Sequence, residues 1–291
     1  MKDDHKGRLL VVATPLGNLK DITFRAVDAL KRASFIAAED TRRTRKLLAH
    51  LGIKTKIISC NEHNESKRVQ LVLDVCNQGE DVVLVSDAGT PGISDPGAYL
   101  IRMLREKGVE VLPVPGPSAV ACALSVCGMR ANSYHFVGFL PSKKQERLRV
   151  LEQISSLESL LVFFEAPHRI VATLQDMLEI FEDRQAFLAK EMTKVHETYI
   201  FSNISDILAL LSAEQRVKGE ITLIVEGAVR PVGHRDEIPQ GVKRVMSGLL
   251  SDSKMGVKEA SALLSSICNI KKGALYQYAL DLSKKGKDHE K

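Results

Sequence analysis

The run Val82-Val-Leu-Val-Ser-Asp-Ala-Gly-Thr-Pro-Gly-Ile-Ser-Asp-Pro-Gly97 decides how the chain folds. It opens as a short β-branched strand, Val82–Ser86. It then continues through twelve residues, Ser86–Gly97, that include three glycines, two prolines and two aspartates before a helical period resumes. A bare connection from strand to helix needs only about 2–6 residues. The longer run therefore reads as a binding loop: its glycines admit a ligand close to the backbone and its prolines hold the loop. Asp95 is placed to cap a helix opening at Pro96.

Working outward, the same alternation repeats on both sides. Strand-like runs at Leu9–Ala13, Phe35–Ala38, Lys56–Cys60 and Val109–Val114 are separated by helical patterns at Asp21–Arg32, Thr41–Leu51, Ser66–Gln78 and Asp95–Lys107. Strand, helix, strand at regular spacing indicates βαβ units and a mostly parallel sheet. This predicts an open α/β domain over residues 1–115. Pro113-Val-Pro-Gly-Pro117 punctuates its end, and Ser118–Cys127 is a small-residue helix suited to close packing. Strands at His135–Leu140, Leu160–Glu165, Ala186–Ala189, Thr198–Phe201 and Gly219–Glu226 predict a second, mixed α/β domain over 116–232. Beyond Arg230-Pro-Val-Gly, helical stretches near 240–250, 257–267 and 271–283 predict a third, helical domain over 236–291. Its last two helices read either as a helix-turn-helix or as an αα-hairpin covering a domain surface. Lys254, Lys258, Lys271, Lys272, Lys284, Lys285 and Lys287 tip the reading toward phosphate contact.

The 291 residues are 44% hydrophobic and 26% charged, which excludes wholesale disorder and fibrous classes. No apolar run approaches the ~20 residues that cross a bilayer. The N-terminal Met1-Lys-Asp-Asp-His-Lys6 lacks an apolar signal segment, so no membrane association and a cytoplasmic location are expected. Five cysteines without a C-x-x-C pair are expected to be reduced, and the eight histidines lack zinc-ligand spacing, so no metal is expected. Lys and Arg total 41 against 36 Asp and Glu, a net charge of +5 that leans toward an anionic partner. None of the 19 glycines lies two residues from another, so G-x-G-x-x-G is absent, as is any phosphate-binding G-x-x-x-x-G-K-[ST].

Six segments in order carry a resemblance: Thr14-Pro-Leu-Gly-Asn-Leu-Lys-Asp-Ile-Thr23, Glu39-Asp-Thr-Arg42, Ser86–Gly97, Pro115-Gly-Pro-Ser118, Phe163-Phe-Glu-Ala-Pro-His-Arg169 and Gly219-Glu-Ile-Thr-Leu223. Together they resemble the tetrapyrrole-methylase superfamily of S-adenosylmethionine enzymes, and more closely its branch acting on small-subunit ribosomal RNA. The resemblance implies two α/β domains of the class III methyltransferase type with the donor bound in the cleft between them, a helix-turn-helix-like tail and a homodimer. It implies 2′-O-methylation of a cytidine in the decoding region of 16S rRNA, on the small ribosomal subunit. Thr14-Pro-Leu-Gly-Asn18 and Gly89-Thr-Pro-Gly92 stand where the tetrapyrrole enzymes have G-x-G-P-G-D and a Gly-Asp-Pro loop, which argues against a porphyrinoid substrate. The rival readings are a methylase of a tetrapyrrole intermediate and a non-catalytic RNA-binding protein on the same fold.

By matched motif the resemblance assigns donor contacts to Pro15, Leu16, Gly89, Thr90, Ile93, Ser118, Ala119, Phe164, Ile221 and Thr222. Candidate bases for the ribose proton are Asp40, Asp87, Lys190 and Glu191, with Asp40 ahead because cations follow it. Arg42, Arg43, Arg45 and Lys46 crowd a helix N-terminus, where the helix dipole disfavours them and phosphate would compensate. Lys143, Lys144, Arg147 and Arg149 form a second basic run, and His168-Arg169 sits at a strand-to-helix junction. With Lys271 and Lys272 of the tail, these are the candidate RNA contacts.

Overall fold

The computed structural model describes residues 6–130, 132–229, 238–251, 255–268 and 270–287, with 283–287 as helical backbone alone. The chain divides into two compact units, Met1–Ala228 and Val229–Lys291.

The first unit opens with a five-stranded sheet of β1 (Leu9–Val12), β2 (Phe35–Ala38), β3 (Lys56–Ser59), β4 (Val82–Val85) and β5 (Val111–Val114), ordered β3-β2-β4-β1-β5. Every pairing in it is parallel. Helices cover both faces, so β2 and β4 are buried throughout and read as continuous apolar runs rather than alternating ones. The helices are α1 (Phe24–Arg32), α2 (Thr41–His50), α3 (Glu65–Asn77) and α4 (Ala98–Glu106). One face of the sheet packs Leu9, Leu84, Leu100 and Leu104 together, and the other packs Val12, Leu30, Ile36 and Leu48. Because the sheet is parallel, the segments after β1, β2, β4 and β5 leave it at one carboxyl edge, where open α/β sheets place ligands.

Helix α5 (Ala119–Val126), capped by the Ser118 hydroxyl, leads to a second five-stranded sheet. Its strands are β6 (Tyr134–Phe139), β7 (Leu160–Glu165), β8 (Gln185–Lys190), β9 (Thr198–Asn203) and β10 (Ile221–Val225), ordered β6-β7-β10-β8-β9. Only the β6–β7 pairing is parallel. Helices α6 (Lys144–Ile154), α7 (Ile170–Phe181) and α8 (Ile204–Ala213) build the core on one face with Leu161, Phe163, Leu188 and Leu223. The opposite face packs on α5 through Val120, Ala123 and Cys127, so the small residues of that helix do permit close approach. A bulge at Phe136/Gly138, with Gly138 at φ +73, turns the end of β6.

The second unit is a three-helix cluster of α9 (Gln240–Ser251), α10 (Val257–Cys268) and α11 (Lys272–Lys287) around Ile238, Met246, Ala260, Leu264, Leu275 and Ala279. The 230–233 linker, Lys254, and the side chains of Lys284, Lys285 and Lys287 lie outside what the structure describes. Among the described residues no helix is long and apolar enough to cross a membrane.

Two expectations fail because partners from elsewhere in the chain intervene. Asp95 does not cap α4, which begins at Ala98 behind Gly97 in a left-handed conformation (φ 118). Leu84 Cδ2 would lie 2.8 Å from a Cβ at Gly97, so only glycine fits this junction. The cap comes instead from α3: the Glu65 carboxylate accepts from the amides of Gly97 (3.0 Å) and Leu100 (3.4 Å). Arg147 is not part of a solvated basic run. Its buried guanidinium pairs with Asp176 at 2.6 Å and donates to the Pro141 and Ser142 carbonyls.

Candidate active site

The carboxyl edge of the first sheet and the inner ends of the second enclose a cavity of about 360 Å³. Its floor is the long loop. Two backbone bonds zip that loop to the turn after β1, from Thr14 N to Gly89 O (2.8 Å) and from Gly89 N to Thr14 O (2.9 Å). The Thr90 hydroxyl donates to the Pro117 carbonyl at 3.1 Å, tying the same loop to the segment after β5. Gly89 sits at φ +75, and a Cβ there would press on Leu16 Cδ2 at 3.3 Å, so the missing side chain is what keeps this wall open.

Leu16, Gly89, Thr90, Ile93, Ser118, Ala119, Phe164, Ile221 and Thr222 all line the cavity. Pro15, buried in the first turn, does not. The remaining walls are Phe139, whose ring meets Phe164 edge-on at 5.7 Å, the Glu165–Pro167 segment, Gly219 and Glu220.

Three carboxylates, those of Glu39, Asp87 and Asp95, line one side. Asp87 accepts the Asp40 amide (3.0 Å) and approaches Arg43 Nε at 3.4 Å. Glu39 accepts the Asp87 amide at 3.4 Å, and burial followed by the charge of Asp87 raises its pKa. Burial pushes the Asp95 carboxyl up to about 6, with the charges of Glu39 and Asp87 adding and a hydrogen bond from Ser86 opposing. Sequence reasoning passed over Glu39 and gave Asp95 only a capping role. The available signal was topological, because β2 and β4 are paired neighbours and their first loop residues emerge side by side.

Three of the four base candidates, Asp40, Glu191 and Lys190, are placed otherwise, whereas Asp87 lines the cavity. Asp40 does not line this cavity; its carboxylate caps α2 through the Arg42 amide (2.8 Å) and grips the Arg42 guanidinium (2.6 Å). Those bonds hold it far below the usual carboxylate range, which makes it a poor proton acceptor. Glu191 bonds Lys194 (2.8 Å) and the Glu220 amide (2.8 Å), and the Lys194 bond lowers its pKa. It packs against Gly219 and so supports the cavity wall from behind. Lys190 is occupied by Glu214 at 3.1 Å.

The candidate RNA contacts scatter. Arg43 reaches the cavity, Arg42 is paired with Asp40, and Arg45 is exposed on α2. Lys143 and Lys144 are exposed and pair with Glu146 and Glu179, Lys144 also with Asp176. His168 is exposed, whereas Arg169 is turned inward, donating to the Leu140 carbonyl (2.6 Å) and facing Glu165, so it anchors the turn after β6 rather than meeting a ligand. Lys271 and Lys272 are exposed at the start of α11. Among the described residues, no three His, Cys, Asp or Glu side chains converge as metal ligands.

A lining of apolar side chains and backbone, with a glycine cradle and an acidic flank, fits S-adenosylmethionine: packing for an adenine and carboxylates for a sulfonium. The comparisons agree. The family model for tetrapyrrole (corrin/porphyrin) methylases matches residues 8–208. Ribosomal RNA small subunit methyltransferase I of Escherichia coli O157:H7 is 40% identical over 281 residues, 96% of each chain. Its counterpart from Vibrio cholerae is 42% identical over 275 residues, 94% of each. Among solved structures, a uroporphyrin-III C-methyl transferase from Thermus thermophilus, complexed with S-adenyl homocysteine, shares the fold at a TM-score of 0.55. That match has 19% identity and covers 75% of this chain and 97% of that one.

Proposed function

Since the chain belongs to the tetrapyrrole (corrin/porphyrin) methylase family, and within it to the ribosomal RNA small subunit methyltransferase I group, we propose that it is an S-adenosylmethionine-dependent rRNA methyltransferase. Its target is the 2′-hydroxyl of a cytidine in the decoding region of 16S rRNA. One observation carries the choice of RNA over a tetrapyrrole: the kinship with the rRNA enzymes runs through 96% of both chains, helical tail included, whereas the methylase model ends at residue 208.

The donor supplies an electrophilic methyl group bound to sulfur. This chain's own residues do the rest. Leu16, Ile93 and Phe164 provide apolar packing, Gly89 leaves the backbone bare, and the Glu39, Asp87 and Asp95 carboxylates complement positive charge. Loop 86–97 is bonded to both neighbouring segments and so comes preorganised. Transfer to a weak nucleophile such as a ribose hydroxyl depends chiefly on alignment, which a rigid cleft provides. The exposed side chains of Arg45, Lys143, Lys144 and His168 are the RNA contacts this reading assigns to the first unit, and Lys258, Lys271 and Lys272 give the tail its phosphate contacts. A homodimer working in the cytoplasm completes the reading.

Tritiated methyl transfer to small ribosomal subunits, to naked 16S rRNA and to a precorrin-type tetrapyrrole tests it. Label is expected in subunit RNA, mapped by primer extension sensitive to ribose methylation. Label in the tetrapyrrole alone would overturn the assignment, and sedimentation of the full chain tests the dimer.

A further inference from the structure

Glu39, Asp87 and Asp95 line two cavities at once. Beyond the donor cavity they border a second, polar one of about 810 Å³, whose other walls include Ser59, Asn61, His63 and Arg42. The two linings differ in kind. The first is apolar and backbone-rich; the second alternates Ser59 and Asn61, which can donate, with acceptors such as Glu62 and with the Arg42–Asp40 pair. That alternation suits a cytosine edge and ribose hydroxyls, which need both. The two cavities thus share a wall of three carboxylates.

Two of the three are engaged. Asp87 holds the Asp40 amide and faces Arg43, and Glu39 holds the Asp87 amide. Asp95 forms no ion pair among the described residues, and its partner is the Ser86 hydroxyl. It also lies on the loop whose Gly89, Thr90 and Ile93 border the donor cavity.

We propose that the target nucleoside seats in the second cavity and that Asp95 takes the proton of its 2′-hydroxyl during transfer, an assignment that rests on the rRNA reading above. A lone pair of O2′ forms the new O–C bond, and the C–S bonding pair returns to sulfur, leaving a neutral thioether. The hydroxyl proton passes to the Asp95 carboxylate, and the neutral acid then releases it to solvent. A carboxyl titrating at about 6 is still mostly ionised at neutral pH, yet holds a proton better than an ordinary aspartate. The charged groups around it are Glu39 and Asp87 at the ends of β2 and β4, Arg43 of α2 beside Asp87, and Glu65 of α3 beneath Gly97.

Single-turnover methyl transfer to small subunits, with wild type, Asp95→Asn and Asp95→Glu, tests the role. Asp95→Asn is expected to slow transfer by about 10²–10³-fold, as loss of a general base does. Calorimetric affinity for S-adenosylhomocysteine should stay unchanged, and Asp95→Glu should recover part of the rate. The wild-type rate should rise through an inflection near the about 6 of Asp95, which carboxyl NMR of the ligand-free protein should show independently. Asp95→Asn within threefold of wild type, or a carboxyl that titrates like an ordinary aspartate, overturns the proposal. The wild-type pH–rate profile and the carboxyl titration decide the matter even if Asp95→Asn fails to fold, a rate without an inflection near the about 6 of Asp95 counting against the proposal. Wild-type protein that methylates no rRNA while Asp95 titrates as expected overturns the functional reading instead.

Discussion

Replacing Asp95 by asparagine should make the protein more stable while making it a worse enzyme. Folding raises this carboxyl from an ordinary 3.8 to about 6, chiefly by burial. At ~1.4 kcal/mol per pH unit the difference is about 3 kcal/mol; partial exposure and solvent screening reduce it to about 1–2 kcal/mol. Between about pH 4 and pH 6 the unfolded chain has released this proton while the folded chain keeps it, so stability falls as pH rises through that window. Above it the whole penalty is present; below it there is none. Asparagine has the same shape, can still bond Ser86 and never ionises. Urea unfolding at pH 4, 5.5 and 7.5 should therefore show the variant level with wild type at the acid end and ahead by about 1–2 kcal/mol at pH 7.5. Glu39, raised in the same direction, contributes to both proteins and largely cancels. A variant less stable at pH 7.5, or a difference that does not change with pH, would refute the reasoning.

Gly89→Val places a branched side chain at φ +75 against Leu16, so calorimetry should find S-adenosylhomocysteine binding lost with the fold intact; unchanged affinity would mean that loop 86–97 is not the donor site. Asp176→Ala strands the Arg147 guanidinium, whose side chain is only 6% exposed, and should cost about 3–5 kcal/mol in denaturant melts. Glu65→Ala removes the cap of α4 and should cost about 1 kcal/mol in urea unfolding. Removing residues 229–291, a separate unit, should leave donor affinity intact and flatten the salt dependence of rRNA binding, the log–log slope shrinking by about 0.9 for each phosphate the tail no longer neutralises.

The strands and the long loop were legible because their signals are local: β-branched runs, turn residues and spacing. Gly89 and Phe164, assigned by motif, do line one cavity. What stayed hidden depends on partners far along the chain. Arg147 looks like one more surface cation until α7 brings Asp176 to it, and Arg169 looks free until Leu140 and Glu165 close around it. Asp95 stands where a cap residue belongs, yet the cap arrives from Glu65 at the start of the preceding helix. Asp40 shows the opposite case: its carboxylate caps its own helix and grips Arg42, which holds its pKa low.

The 360 Å³ cavity takes its walls from Leu16 at one end of the first unit to Thr222 near the other, so neither sheet contains this site by itself. Any ligand held there binds only when both sheets are folded and met, and its affinity is added to the stability of both at once. At a free concentration of one hundred times Kd that addition is about 2.7 kcal/mol. The unit Met1–Ala228, which holds both sheets, should therefore melt at a steadily higher temperature as donor is added.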